Sequence, residues 1–351
     1  MLGRLICLLA AVAVFATSDT TFAQDAKKCR LQKVVEWKVR SIGRHMAVDG
    51  AINGKKIGIV LDTGASVSMM FRASAKRLGL DLRESRGERA YGVGGETQVY
   101  TTVVDEFKLG SVAVRDLQLR VAGENDPGEG YDLLLGEDFL SSFDVEFDLA
   151  NGVVRLWQPK DCDGASLAYW TRDVAGEVAI EAVTDMRRKI AFAVHLNGKR
   201  VHAMLDSGAS TSIVSKHDAE AVGATPAGTT IGSSGVGAKT VEAWVGKFDH
   251  FAIGNEDIPD VEDRVSDIYQ GATYVETGSR ISKNVFEERP MLLGADFLRA
   301  HRTLVSHSQR KMYFTYVGGP VFVTGRTKPP AQPPSGEKPA SELTQNQRTL
   351  G

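Results

Sequence analysis

The chain has 351 residues, 42% of them hydrophobic and 25% charged, with a formal net charge of −2. That length predicts two domains, and the apolar content suffices for two ordinary cores, so disorder is confined to the ends. No basic cluster alternates with aromatic residues, which excludes the electrostatic footprint of a nucleic-acid partner or of an anionic membrane surface.

In chain order, Arg4, an apolar run over 5–15 and the small residues around Thr21-Phe22-Ala23 read as a secretory signal over 1–23. The mature chain then begins near Gln24, in the periplasm or outside the cell. An uncleaved anchor would need roughly 20 apolar residues to span a bilayer, more than this run offers, and no later segment qualifies, so no stable membrane insertion is expected. Processing removes Arg4 with Asp19, leaving the net charge at −2, and it removes Cys7. Cys29 and Cys162 remain, and two cysteines in an exported chain predict one disulfide tying the mature amino terminus to the segment between the domains. Two unpaired thiols are the alternative, since spacing alone does not fix the geometry.

Next, Met46, Val48 and Gly50 alternate with more polar positions, and Asn53-Gly54 supplies a two-residue turn. A second apolar run ends in Asp62-Thr63-Gly64-Ala65-Ser66. An apolar stretch at 69–71, a short helix over 73–78 closed by Gly79, and the glycine-rich Tyr91-Gly92-Val93-Gly94-Gly95 follow. Leu134-Leu135-Gly136-Glu137-Asp138-Phe139-Leu140 ends the series.

The series then repeats. Ile190, Phe192 and Val194 alternate, Asn197-Gly198-Lys199 matches Asn53-Gly54-Lys55, and Asp206-Ser207-Gly208-Ala209-Ser210 stands 144 residues after the first motif. At the same offset Leu205 matches Leu61, Ser212 matches Ser68 and Gly223 matches Gly79, so one register covers at least 44–79. A helix over 217–222 is predicted, then Ser234-Gly235-Val236-Gly237-Ala238. Leu292-Leu293-Gly294-Ala295-Asp296-Phe297-Leu298 follows at an offset of 158, the second copy having gained 14 residues. Two copies at so long a period predict duplicated lobes, since solenoid repeats run about 20 to 50 residues. The lobes are placed at 24–160 and 161–326, followed by a Pro-rich, extended or disordered tail at 327–351 with Lys328-Pro329-Pro330 and Gln332-Pro333-Pro334.

A lone Asp-Thr/Ser-Gly is usually only a turn, but two copies, each after an apolar run and each with its own Leu-Leu-Gly, point to paired chemistry. Gly64 and Gly208 suit tight turns at a close approach of two backbones, and the Thr63 and Ser207 hydroxyls can hydrogen-bond across a pseudo-twofold junction. Asp62 and Asp206 held together share a proton, so one serves as base and the other as acid. Such chemistry needs no metal or cofactor. The seven His are scattered, and His301 and His307 read as surface or packing residues. Asp138 and Asp296 are expected to cap short helices. Ala65 and Ala209 carry no hydroxyl to stabilise the ionised carboxylates, which predicts activity at weakly acidic to near-neutral pH.

These motifs resemble the pepsin and retropepsin superfamily over roughly 31–317. The alanine after each glycine is similar to the retropepsin form, in a pepsin-like tandem typical of bacterial retropepsin-like proteins. The resemblance implies an all-β, bilobal acid protease fold: two duplicated, β-barrel-like lobes with short helices, each Leu-Leu-Gly strand crossing behind a catalytic loop. Tyr91-Gly92-x-Gly94 is similar to the pepsin flap, so Tyr91, Gly92, Gly94, Gly235 and Gly237 become candidate substrate-covering residues; an ordinary glycine-rich hairpin tip is the alternative reading. The implied protein is an exported aspartic endopeptidase acting on extended polypeptide, a monomer whose lobes form an intramolecular pseudo-dimer. Its alternatives are a non-catalytic peptide-binding or sensor protein on the same scaffold, and lobes that dimerise separately with other chains.

Overall fold

A computed structural model describes residues 29–182, 189–229, 232–233, 235–237, 239–268, 275–276, 282–283 and 290–324. The expected signal at 1–23, Ser234 and Ala238 of the second glycine-rich stretch, and the expected tail at 327–351 lie outside the described residues.

The first copy runs through β1 (Arg30–Lys38), β2 (Arg40–Ile42), β3 (His45–Ile52), β4 (Lys55–Leu61), β5 (Met69–Phe71) and α1 (Arg72–Leu78). It continues through β6 (Arg83–Gly92), β7 (Gly95–Leu109), β8 (Val112–Ala122), β9 (Leu133–Leu135), α2 (Glu137–Leu140), β10 (Asp144–Asp148) and β11 (Val153–Lys160). The second copy opens with β12 (Gly176–Ala179), β13 (Ala191–Leu196), β14 (Lys199–Leu205), β15 (Val214–Ser215), α3 (Lys216–Ala221) and β16 (Thr225–Thr229). It closes with β17 (Ala243–Ile253), β18 (Glu256–Ser266), β19 (Val275–Glu276), β20 (Ser282–Lys283), β21 (Met291–Leu293), α4 (Ala295–Ala300), β22 (His301–Ser306) and β23 (Lys311–Tyr316).

Local chemistry explains the shared plan. Asn53 and Gly54 adopt φ of 48° and 76°, and Asn197 and Gly198 adopt 49° and 75°, the left-handed pair that a two-residue hairpin turn requires. Each turn joins the two strands that lead into an aspartate, Ile52 facing Lys55 and Leu196 facing Lys199. In the first lobe β9 lies parallel to β4, Leu61 facing Leu135, and antiparallel to β5 on its other side, Met69 facing Leu134. The chain therefore leaves β4, turns through the Asp62 loop and returns beyond β9, as the resemblance implies. The second lobe repeats this, with Leu205 facing Leu293 and Ile213 bridging Leu292.

A third sheet, ordered β1-β11-β10-β22-β23-β12, takes strands from both copies. Val145 faces Val305 and Phe147 faces Thr303 across the join. Fully buried Glu146 is satisfied there by Arg155 at 3.0 Å, the Trp157 indole N–H at 2.7 Å and Arg302 of the second copy at 2.6 Å. Cys29 and Cys162 form a disulfide just beyond the Arg30–Lys160 end of the β1–β11 pairing, packed with Trp157, Leu167 and Tyr313.

One apolar core runs through the two lobe sheets and the shared sheet. It includes Ile59, Leu61 and Leu133 of the first lobe, Val145 and Val305 of the shared sheet, and Phe192, Leu205 and Leu293 of the second lobe. Burying each such side chain stabilises the fold by roughly 1.5 to 3 kcal/mol, and the ends of β4 and β14 are thereby held rigid. Among the described residues no helix is long and apolar enough to cross a membrane.

Candidate active site

Asp62 and Asp206 each follow the last residue of a core strand. The Asp62 N–H donates to the Leu135 carbonyl and the Asp206 N–H to the Leu293 carbonyl, both at 2.9 Å, so each loop hangs from its Leu-Leu-Gly strand. The N–H of Ala65 then returns to Oδ1 of Asp62 at 3.0 Å, and the N–H of Ala209 to Oδ1 of Asp206 at 2.9 Å.

The two loops interlock. Thr63 N–H donates to Ser207 Oγ and Ser207 N–H to Thr63 Oγ1, both at 3.0 Å. Each hydroxyl in turn donates across the junction, Thr63 to the Leu205 carbonyl at 2.9 Å and Ser207 to the Leu61 carbonyl at 2.7 Å. A Cβ on Gly64 would overlap the Asp206 carboxyl group, and a Cβ on Gly208 would overlap that of Asp62. The glycine of each motif is therefore what admits the other lobe's acid.

The electrostatics follow from this crowding. Burial, and after it the neighbouring Asp206 carboxylate, hold the Asp62 carboxyl well above the usual carboxylate range. Half-buried Tyr131, packed on His45 and Phe71, is also raised, first by desolvation and then by the charges of Asp62 and Asp206. Lys189 is lowered by burial, opposed by Asp62, Asp206 and Glu137. Among the described residues no group of His, Cys, Asp and Glu gathers as a metal site.

The glycine-rich stretches meet each other. In the first lobe they form the tip of the β6–β7 hairpin, with Tyr91 facing Glu96 and Gly92 facing Gly95. The N–H of Gly237 donates to the Val93 carbonyl at 3.1 Å, that of Lys239 to the Gly94 carbonyl at 3.2 Å, and the Asn125 amide to the Gly237 carbonyl at 2.8 Å. Val93 packs across the junction on Ala191, Met204, Ile213 and Leu292. Val236 packs the other way, on Ala47, Val60, Phe71, Leu134 and Tyr131. Burial, and after it the Glu96 carboxylate on the same hairpin, raises the Tyr91 hydroxyl pKa.

One expectation is corrected. Asp138 and Asp296 do not cap helices: the residues preceding α2 and α4 are Gly136 and Gly294, with no side-chain cap. Both aspartates lie one residue inside and reach back to the Asp62 and Asp206 loops. Asp138 accepts from Ser68 N–H at 2.9 Å and Ser68 Oγ at 2.6 Å. Asp296 accepts from Ser212 N–H at 2.9 Å and Ser212 Oγ at 2.7 Å. Each serine hydroxyl also accepts the landmark glycine's N–H, Gly136 or Gly294, at 2.9 Å. A serine and an aspartate bind the end of each loop to its crossing strand, and the matched Ser68 and Ser212 were the sequence signal for this.

Sequence reasoning also passed over three side chains around the pair: His45, Lys189 and Glu137. His45 Nδ1 lies 3.0 Å from the Gly208 carbonyl, and Lys189 Nζ hydrogen-bonds the Gly64 carbonyl. Glu137 is completely buried beneath the first loop, pushed up to about 8 by desolvation. His307 faces it at 3.5 Å, whereas His301 is a packing residue stacked 4.0 Å from Phe297.

No curated protein matches the chain. Among solved structures it is similar to a retropepsin-like aspartic protease from Rickettsia conorii, at 21% identity over 38% of this chain and 95% of that one, with a TM-score of 0.27. A family model described as "Aspartyl protease" matches residues 48–139 and again 192–297, once over each copy and more than half of the chain in all. The chain belongs to the aspartyl protease family.

Proposed function

We propose that the chain is an exported, single-chain aspartic endopeptidase in which Asp62 and Asp206 activate one water between them. The observation that carries this reading is the reciprocal seating of each carboxyl against the other motif's glycine, which leaves the two acids no separation at which both ionise independently. Each Oδ1 is committed to its own loop through Ala65 or Ala209, so the remaining oxygens face the reacting atoms.

An extended peptide lies between the acids and the crossed tips of the two glycine-rich stretches, Tyr91, Gly92 and Gly94 on one side and Gly235 and Gly237 on the other, binding by strand-like hydrogen bonds. The ionised carboxylate takes a proton from water as its oxygen attacks the peptide carbonyl carbon, and the protonated carboxyl gives its proton to the carbonyl oxygen. The tetrahedral adduct collapses with proton transfer to the amide nitrogen, the C–N bond breaks, and an acid and an amine leave. The pair again holds one proton. Export is supported by the apolar segment at 5–15 and by the Cys29–Cys162 disulfide, a bond that persists in oxidising compartments.

The test is a diverse peptide library incubated from about pH 3 to about pH 8 with the wild type, Asp62→Asn and Asp206→Asn, and read by mass spectrometry. Cleavage by the wild type alone is expected. Equal cleavage by either variant, or none by the wild type, contradicts the proposal.

A further inference from the structure

His45 and Lys189 stand at one position of the 144-residue register, and each crosses to the opposite lobe. Lys189 Nζ donates to the carbonyl oxygen of Gly64. His45 Nδ1 must donate to the carbonyl oxygen of Gly208, since a carbonyl only accepts. The backbone of each catalytic glycine is thus held by a basic side chain from the strand segment that leads to the other aspartate.

The two are chemically unequal. His45 packs on Tyr131, with ring centres 4.7 Å apart, and faces Arg299 and Asp206; burial favours its neutral form. Lys189 reaches the carbonyl of Gly64, the glycine that abuts the Asp206 carboxyl, and the charges of Asp62, Asp206 and Glu137 favour its ammonium form against burial. Only the first copy supplies that third acid, because Ala295 occupies the corresponding place in the second. One base and three acids in a water-poor space are least costly as one ammonium and one carboxylate. Among the described residues neither oxygen of Glu137 has a hydrogen-bond partner; His307 stands 3.5 Å away, and the charges of Lys189, Asp62 and Asp138 act on the Glu137 carboxyl. An unsolvated carboxyl of that kind keeps its proton, so the single negative charge falls to the aspartate pair.

We infer that His45 and Lys189 are positioning residues, locking the two catalytic glycines from opposite lobes, and that Lys189 supplies the counter-charge to the one negative charge shared by Asp62 and Asp206. The inference rests on the reading of those aspartates as the catalytic pair. A cation beside the pair favours its ionised forms, so its removal raises both proton-binding steps and moves both limbs of the pH profile upward.

The test compares pH profiles of kcat/KM for wild type, Lys189→Gln, Lys189→Met and Lys189→Arg on one cleaved peptide. Both limbs are expected to rise by about one unit or more in the two neutral variants and to stay in place in Lys189→Arg. Unmoved limbs in a folded neutral variant, or an equal shift in all three, overturn the inference. If one neutral variant does not fold, the other carries the comparison; if a variant folds but does not cut, carboxyl carbon NMR titration of the two aspartates gives the same readout under the same rule. His45→Leu is expected to lower kcat about tenfold or more, with His45→Gln, which keeps a donor, restoring most of it; equal losses overturn the part given to His45. Retained cleavage in Asp62→Asn or Asp206→Asn would sink the catalytic pair itself, whereas inactive aspartate variants with unmoved Lys189 limbs sink only this inference.

Discussion

Thr63 and Ser207 exchange their backbone N–H groups for each other's hydroxyl oxygens, at 3.0 Å in both directions. Both residues are wholly buried, so water cannot replace either bond. Ser207→Ala removes the partner of the Thr63 N–H and the donor to the Leu61 carbonyl, and is expected to cost roughly 2 to 4 kcal/mol, whereas Ser207→Thr retains the hydroxyl and most of the stability. Denaturant unfolding measures both, and a loss below about 1 kcal/mol for Ser207→Ala would show that the junction does not depend on this exchange.

Glu137 makes stability depend on pH. Its carboxyl ionises near 4.5 in an unfolded chain but at about 8 in the fold. Between those values the unfolded state releases a proton that the folded state retains, so the stability due to the neutral carboxyl declines as pH rises through this window. Glu137→Gln removes the Glu137 share of the decline and leaves that of Asp62 in place. The variant should exceed the wild type by on the order of 2 to 4 kcal/mol near pH 8, with the advantage shrinking toward pH 5. Denaturant midpoints at the two pH values decide it, and an equal difference at both contradicts the assignment.

Asp138 and Asp296 perform the same anchoring in unequal surroundings. Asp138 is exposed, while Asp296 is 1% exposed and additionally accepts from the N–H groups of Phe297 and Val323, each at 3.0 Å. Asp296→Ala should therefore destabilise by about 1 to 3 kcal/mol more than Asp138→Ala. Matching thermal shifts for the two variants would contradict the comparison.

The tips of the glycine-rich stretches are predicted to matter for turnover more than for folding. Gly94 has φ of 92°, and a Cβ there would overlap the Lys239 carbonyl oxygen, so Gly94→Ala forces the crossed tips apart. Since the tip packs on a small cluster apart from the main core, unfolding should change by no more than about 1 to 2 kcal/mol while kcat/KM falls about tenfold or more. Unchanged cleavage would mean that tip contact plays no part in turnover.

Much of this was legible in the sequence because it is local or duplicated. Asn53-Gly54 and Asn197-Gly198 fix hairpins by backbone preference alone, α1 is closed by Gly79 in the left-handed region as expected, and the repeated Leu-Leu-Gly located the crossing strands. The failures concern side chains whose partners lie far along the chain. Asp138 follows a helix start and so reads as a cap, yet Ser68, 70 residues earlier, is the partner it finds. His45 and Lys189 share a register position but not a residue type, so motif matching does not pair them. The join of Val145 to Val305 needs both lobes folded before it exists.

The proposed catalytic pair consists of Asp62 and Asp206 of one chain. It is tested most directly by measuring peptide cleavage by Asp62→Asn, by Asp206→Asn and by an equimolar mixture of the two. A pair built within one chain predicts that all three are inactive, because no molecule in the mixture holds both acids. Recovery of a substantial fraction of wild-type activity on mixing would show that lobes pair between chains, and activity in either single variant would show that the other aspartate suffices.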